Sequence, residues 1–345
     1  MRRRTVTPRV AQAALAGLSL TLVLAACGGG DETDDGESGP DAQAVAAGSK
    51  LDSTWPLTGL PVTGDDEAAQ KHPVMVLKMD NTSSSAPQVG LSEADLVVEE
   101  LVEGGVTRLA AFYYSQIPGE VGPVRSMRAS DIGIVAPVDG AMVTSGAAAQ
   151  TIQRIKGAGI DFFAEGAKGF YRDDSRSAPY NLFTDMGETV KAAELDEATR
   201  PDDYLPWGDA ADLPAGQPAK TLAASFGSHT TNWTYDGQGY VNENTFAEEG
   251  DEFPADTVLV LRVKVGDAGY TDPAGNPVPE TKFEGRGQAL LFHGGRLVRG
   301  SWTKKDDDDT VTLKTKAGEL TVPAGRTWVE LVPVDDANGG VTFAK

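Results

Sequence analysis

Three consecutive segments decide the fold: Leu96-Val97-Val98-Glu99-Glu100-Leu101-Val102, then Glu103-Gly104-Gly105, then Val106-Thr107-Arg108-Leu109-Ala110-Ala111-Phe112-Tyr113-Tyr114. The outer two are strand-length runs of β-branched and aromatic residues, and the glycine pair between them supplies a chain reversal. On the N-terminal side, Pro73 to Met79 reads as a buried strand, and Asp80 to Pro87 as a polar loop. On the C-terminal side, Ser126 to Val135 predicts a short helix and Ala141 to Thr144 a brief strand. Ala147 to Lys156 predicts a helix stopped at Gly157, and Asp185 to Ala193 a helix capped by Asp185 three residues before Glu188.

The texture changes after Asp202 to Pro218, a stretch rich in Pro, Gly, Asp and Ala. Beyond it come strand and turn signals, clearest in the hairpin Gln288 to Phe292, His293-Gly294-Gly295, Arg296 to Trp302. The pattern predicts an α+β fold: a layered sheet-and-helix N-terminal domain over 51–205 and a second, strand-rich C-terminal domain over 219–345. By length, this part of the chain suits one large or two medium domains.

The start of the chain reads as an address. Residues 1–26 combine Arg2, Arg3, Arg4 and Arg9 with a short apolar run that ends in small residues, as a secretory signal does. Cys27 is the sole cysteine, so neither an internal disulfide nor a thiolate metal site is available. Residues 27–50 are acidic and rich in Gly, Ser and Ala, which suits a flexible tether.

Against 30 basic residues stand 51 acidic ones, for a formal charge of −21. Removing the four signal arginines takes it to about −25. That balance disfavours nucleic acid as a partner, which is bound through positive charge. The histidines, His72, His229 and His293, are scattered, so no metal is expected, and nothing calls for a cofactor.

Four arginines stand out in two short polar segments: Arg125 and Arg128, and Arg172 and Arg176. Three residues apart on a helix, Arg125 and Arg128 would share a face. Guanidinium forks suit carboxylate or phosphate. One reading is a cleft for an anionic envelope ligand, with Asp80, Asn81 and Asn181 orienting the arginines or the ligand. The other is internal pairing with Asp131, Asp173, Glu99 or Glu103. A glycan hydrolase or transferase would instead need two carboxylates roughly 5 to 10 Å apart across a cleft, drawn from Asp80, Glu103 and Asp131, with no arginine neutralising both. The third alternative is a protein-interaction module. Trp233, Tyr235, Tyr240, Trp302 and Trp328 read as core, ahead of a sugar-stacking platform.

Ordered strings along the chain resemble the YerB-like bacterial lipoproteins, a two-domain family of unknown function. Those strings include Pro87-Gln88-Val89-Gly90-Leu91, Gly122-Pro123-Val124-Arg125-Ser126-Met127-Arg128, Ala178-Pro179-Tyr180-Asn181-Leu182-Phe183, Gly300-Ser301-Trp302 and Pro323-Ala324-Gly325-Arg326-Thr327-Trp328. Leu24-Ala25-Ala26-Cys27 likewise resembles a lipobox. The resemblance implies an α+β fold of layered sheets and helices, lipid (palmitate-type) attachment at Cys27 and an extracytoplasmic place on the cell membrane. It brings no reaction. Members carry histidine where this chain has Tyr180 and in the Val143-Thr144-Ser145-Gly146 strand, so imidazole chemistry would not carry over. The expectation is binding or scaffolding in the envelope, with a cell-wall fragment or an envelope protein as partner.

Overall fold

The hairpin that opened the reading forms as expected, Leu96–Leu101 against Thr107–Tyr113, with Leu96 opposite Phe112 and Leu101 opposite Thr107. Met75–Asn81 adds to it antiparallel, and Ala141–Val143 and Phe162–Phe163 extend that side in parallel. The computed structural model describes residues 54–64, 66–272, 275–334 and 339–345. The predicted signal segment, Cys27 and the predicted tether lie outside them.

The two predicted halves share one sheet. Thr327–Pro333 lies between Leu96–Leu101 and Thr257–Thr271 and runs parallel to both. From there Gly285–His293 and Arg296–Lys304 continue the sheet as the predicted hairpin, giving 13 strands in all. Residues 50–345 form one compact unit. The two predicted domains are thus joined through a common sheet, which the loop at 202–218 leaves unbroken.

Each face of this sheet has its own apolar layer, as period-2 alternation requires. One layer gathers Val76, Val98, Phe112, Ile134, Ile155, Leu259, Trp302 and Val329. The helices Asp131–Val135 and Ala149–Gly157 pack here through Ile134, Val135 and Ile155. The opposite layer gathers Leu77, Val97, Leu109, Phe226, Trp233, Val258 and Trp328. It is covered by a four-stranded sheet whose order is Tyr240–Asn242, Thr230–Tyr235, Thr221–Phe226, Gly339–Ala344. Trp233, Trp302, Trp328 and Tyr240 are all buried, so they serve the core.

Two local expectations change. Gly157 is helical and the stop comes at Gly159, whose φ of +80° is the left-handed conformation that glycine tolerates. The helix expected from Ser126 begins only at Asp131. Asp185 caps Met186–Ala192 as read, accepting the Glu188 N–H at 3.0 Å.

Candidate functional site

The segment 122–130 crosses the ends of two strands, and its backbone is already committed there. Arg125 N–H donates to the Lys78 carbonyl and Met127 N–H to the Gly146 carbonyl. Thr144 Oγ1 accepts from Met127 N–H as well. With its donors spent sideways, the segment cannot close a helical turn until Asp131, whose carboxylate accepts the Arg128 N–H at 2.6 Å. Arg125 and Arg128 are therefore positioned by an extended crossing, and the shared helical face predicted for them does not exist.

Every arginine singled out in the sequence meets a carboxylate. Arg128 forks onto Glu103 with two bonds of 2.7 Å. Arg125 lies 3.3 Å from Asp80 and stacks on Tyr180 at 5.1 Å. Arg172 forks onto Glu165 at 2.7 and 2.8 Å and also donates to Asn181 Oδ1. Arg176 pairs with Asp173 and reaches the Ser85 carbonyl. Two of the internal pairings anticipated, Arg128 with Glu103 and Arg176 with Asp173, are present. Asp131 and Glu99 take other partners.

Charge at the first pair does not balance. Arg108, on the strand opposite Asp80, is buried and donates Nη1 to the Ser126 carbonyl at 2.7 Å. Among the described residues it has no carboxylate within ion-pair distance. Burial lowers its pKa to about 10, and the positive charges of Arg128 and Arg125 push the same way. Three guanidiniums thus face two carboxylates, Asp80 and Glu103, while Glu100, opposite Arg108 in the strand register, is taken by Lys78. Arg125 Nη1 is also buried with no hydrogen-bond acceptor among the described residues.

The other predicted participants separate. Asn81 follows Asp80 on the same strand and so points to the opposite face. There its amide donates to Glu99 at 3.1 Å and to Thr107 at 2.9 Å, away from the arginines. Asn181 and Arg172 meet each other on the hairpin Phe170–Arg172 and Leu182–Asp185, and that hairpin approaches the arginine cluster through Tyr180 and Arg176. Each carboxylate named for the hydrolase alternative has a cation of its own. Asp80 has Arg125, Glu103 has Arg128, and Asp131 has Lys78 Nζ at 2.8 Å. A cleft of about 780 Å³ lies elsewhere, lined by His72, Asp139, Asp161 and Arg200 among others. It takes in none of the clustered arginines, and no buried unpartnered donor of the described residues lines it. Volume alone does not make it the site.

Comparison with known proteins agrees with this architecture. The N-terminal domain model of a protein family of unknown function (DUF3048) matches residues 57–200, and the family's C-terminal domain model matches 221–329. The chain belongs to the YerB-like two-domain family. A Bacillus subtilis (strain 168) protein named as a candidate lipoprotein, YerB, is 28% identical over 296 residues, 82% of this chain and 87% of that one. The crystal structure of the B. subtilis YerB protein superposes with a TM-score of 0.69 at 22% identity, over 85% of this chain and 99% of that one. That likeness establishes the fold. The relative's name is that of a lipoprotein, and the family models carry no activity.

In this YerB-like chain the sequence reading missed two buried polar clusters, one on each face of the central sheet. On the face of Lys78, its ammonium meets Glu100 Oε1 and Asp131 Oδ1, each at 2.8 Å, and all three side chains have no exposure. On the other face, Glu99 stands opposite Glu330 in the register of the two parallel strands. Thr231 and Asn81 donate to Glu99, Trp328 Nε1 reaches it at 3.2 Å, and Trp233 Nε1 donates to Glu330 at 2.8 Å. Burial drives the Glu330 carboxyl well above its usual range, and the adjacent Glu99 charge adds to this. Burial pushes Glu99 the same way, but hydrogen bonding and charge from His229, 3.4 Å away, outweigh it and leave Glu99 below its ordinary value. One usable signal was a charged residue inside an apolar strand, as in Val76-Leu77-Lys78-Met79 and Val98-Glu99-Glu100-Leu101, because such a charge must be paired.

Proposed function

We propose that this chain is an extracytoplasmic, lipid-anchored binding protein that takes an anionic cell-envelope group at Arg108 and Arg125. The observation that carries the reading is the uncompensated cation: three guanidiniums, two carboxylates, and an Arg125 Nη1 buried without an acceptor. A planar carboxylate or a phosphate oxygen would supply the missing acceptor bidentately. Ser126 and Ser145, whose hydroxyls lie 3.1 Å apart and half-buried, would add neutral donors beside it. The lipid anchor rests on the Leu24 to Cys27 lipobox and on the relative's lipoprotein name.

The test is calorimetry on residues 50–345, which form one compact unit. The titrants are a peptidoglycan stem peptide and a glycerol-phosphate oligomer. Binding of one class is expected for wild type, with at least a tenfold loss in Arg125→Ala, about 1.4 kcal/mol, while the melting curve stays cooperative. Failure of both titrants to bind wild type, or equal binding by a folded Arg125→Ala, would sink the reading.

A further inference from the structure

The Lys78 cluster has a composition that plain bracing does not explain. One amine sits between two carboxyl groups and none of the three side chains is exposed, so the trio taken by itself has one carboxyl group more than it has cations. Burying an uncompensated carboxylate is expensive, and an extra proton is the ordinary remedy. Burial does raise Glu100 above its usual range, with the Asp131 charge adding to it and Lys78 opposing. An ammonium, a carboxylate and a carboxyl group whose protonation is favoured by burial are then held within one hydrogen-bond shell.

The two carboxyl groups are not equivalent. Glu100 Oε1 accepts an aligned hydrogen bond from Nζ at 2.8 Å. Asp131 Oδ1 is equally close but forms no aligned hydrogen bond. Its carbon Cγ, one C–O bond further on, lies within about 4 Å of Nζ. Near-attack distances are about 3 to 3.5 Å. Asp131 is also fixed in place, because its other oxygen accepts the Arg128 N–H at 2.6 Å.

We infer that Lys78 and Asp131 become joined by an intramolecular amide between Nζ and Cγ, with Glu100 as the acid–base group. The ion pair holds its proton on Lys78, since the neighbouring carboxylates outweigh the lowering effect of burial. The reaction therefore begins with proton transfer from Nζ to Asp131, giving an amine and a carboxylic acid. Nζ attacks Cγ while the protonated Glu100 hydrogen-bonds the developing oxyanion. Glu100 then relays a proton from nitrogen to the departing hydroxyl. The Nζ–Cγ bond forms, the Cγ–Oδ bond breaks and one water leaves. The ammonium's three protons end as one on the amide and two in that water. No oxidant or cofactor takes part. Burial favours the product, because an ion pair that was costly to desolvate becomes a neutral amide. A chain whose single cysteine excludes an internal disulfide would gain a covalent brace between the strand Met75–Asn81 and the helix Asp131–Val135.

Tandem mass spectrometry of a tryptic digest of the full chain decides the matter. The expected product is a branched species of His72–Arg108 and Ala129–Arg154, one water lighter than their sum, uncut after Lys78. Complete cleavage after Lys78 with an unmodified Ala129–Arg154 peptide would overturn the inference. Asp131→Asn should give the same branch with loss of ammonia in place of water. Glu100→Gln, close in shape, should remain unlinked; linkage equal to wild type would overturn the role assigned to Glu100. The wild-type digest is decisive even if a variant fails to fold.

Discussion

Glu99 and Glu100 are adjacent in sequence and stand on opposite faces of one sheet, where they are stabilised in opposite ways. Glu100 faces a cluster with a cation in it, and Lys78 answers both it and Asp131. Glu99 faces a second carboxyl group, Glu330, whose pKa is raised by burial and by the Glu99 charge, and neutral donors from Trp233, Trp328 and Thr231 reach the pair. Burial sets the same problem for both residues. The answer depends on what the surrounding strands supply: a lysine from Met75–Asn81, two strands away, on one face, and another glutamate, two indoles, Thr231, Asn81 and His229 on the other.

Removing the cation tests the first face most severely. Lys78→Met should leave two buried acids without compensation and cost about 3 to 5 kcal/mol, seen as a large fall in urea midpoint. Near-wild-type stability would mean that the acids there are held neutral without lysine. On the second face, Glu330→Gln should do the reverse. With its pKa raised on folding, Glu330 contributes stability fully below about 4.5, its unfolded value, and loses it as pH rises through the folded value. Over that window wild type should lose up to about 1.4 kcal/mol per pH unit. The Gln variant should escape this, so its advantage in melting temperature should grow from pH 5 to pH 8. An advantage that does not change with pH would mean the two glutamates do not share a proton. The smallest effect belongs to Arg172→Ala. Its fork onto Glu165 is exposed, so a change within about 0.5 kcal/mol is expected, against the buried pairs as a control.

Much of the strand pattern was readable because alternation and turn chemistry are local. The hairpin at 96–114, the capped helix after Asp185 and the hairpin at 285–304 all follow from a few neighbouring residues. The insertion of Thr327–Pro333 beside Leu96–Leu101 was not readable, because nothing local says which strand borders which. The arginines were legible as a group with internal partners, although Arg108 was passed over inside its strand. Asn81 was grouped with the arginines for want of a register, and its amide turns to Glu99 and Thr107 instead. The shared glutamate pair could not have been found without knowing that residues 99 and 330 are opposite each other.

That insertion has a consequence for how the chain must be made. The strand that completes the N-terminal hairpin is supplied from far along the chain, and Trp328 bonds to Glu99 across 229 positions. A ribosome delivers these parts in the wrong order for early closure. Until residue 333 has emerged, Leu96–Leu101 is an open edge and Glu99 a charge without its cover. The nascent chain must therefore wait, held loose, and contacts so distant in sequence make its closing step slow.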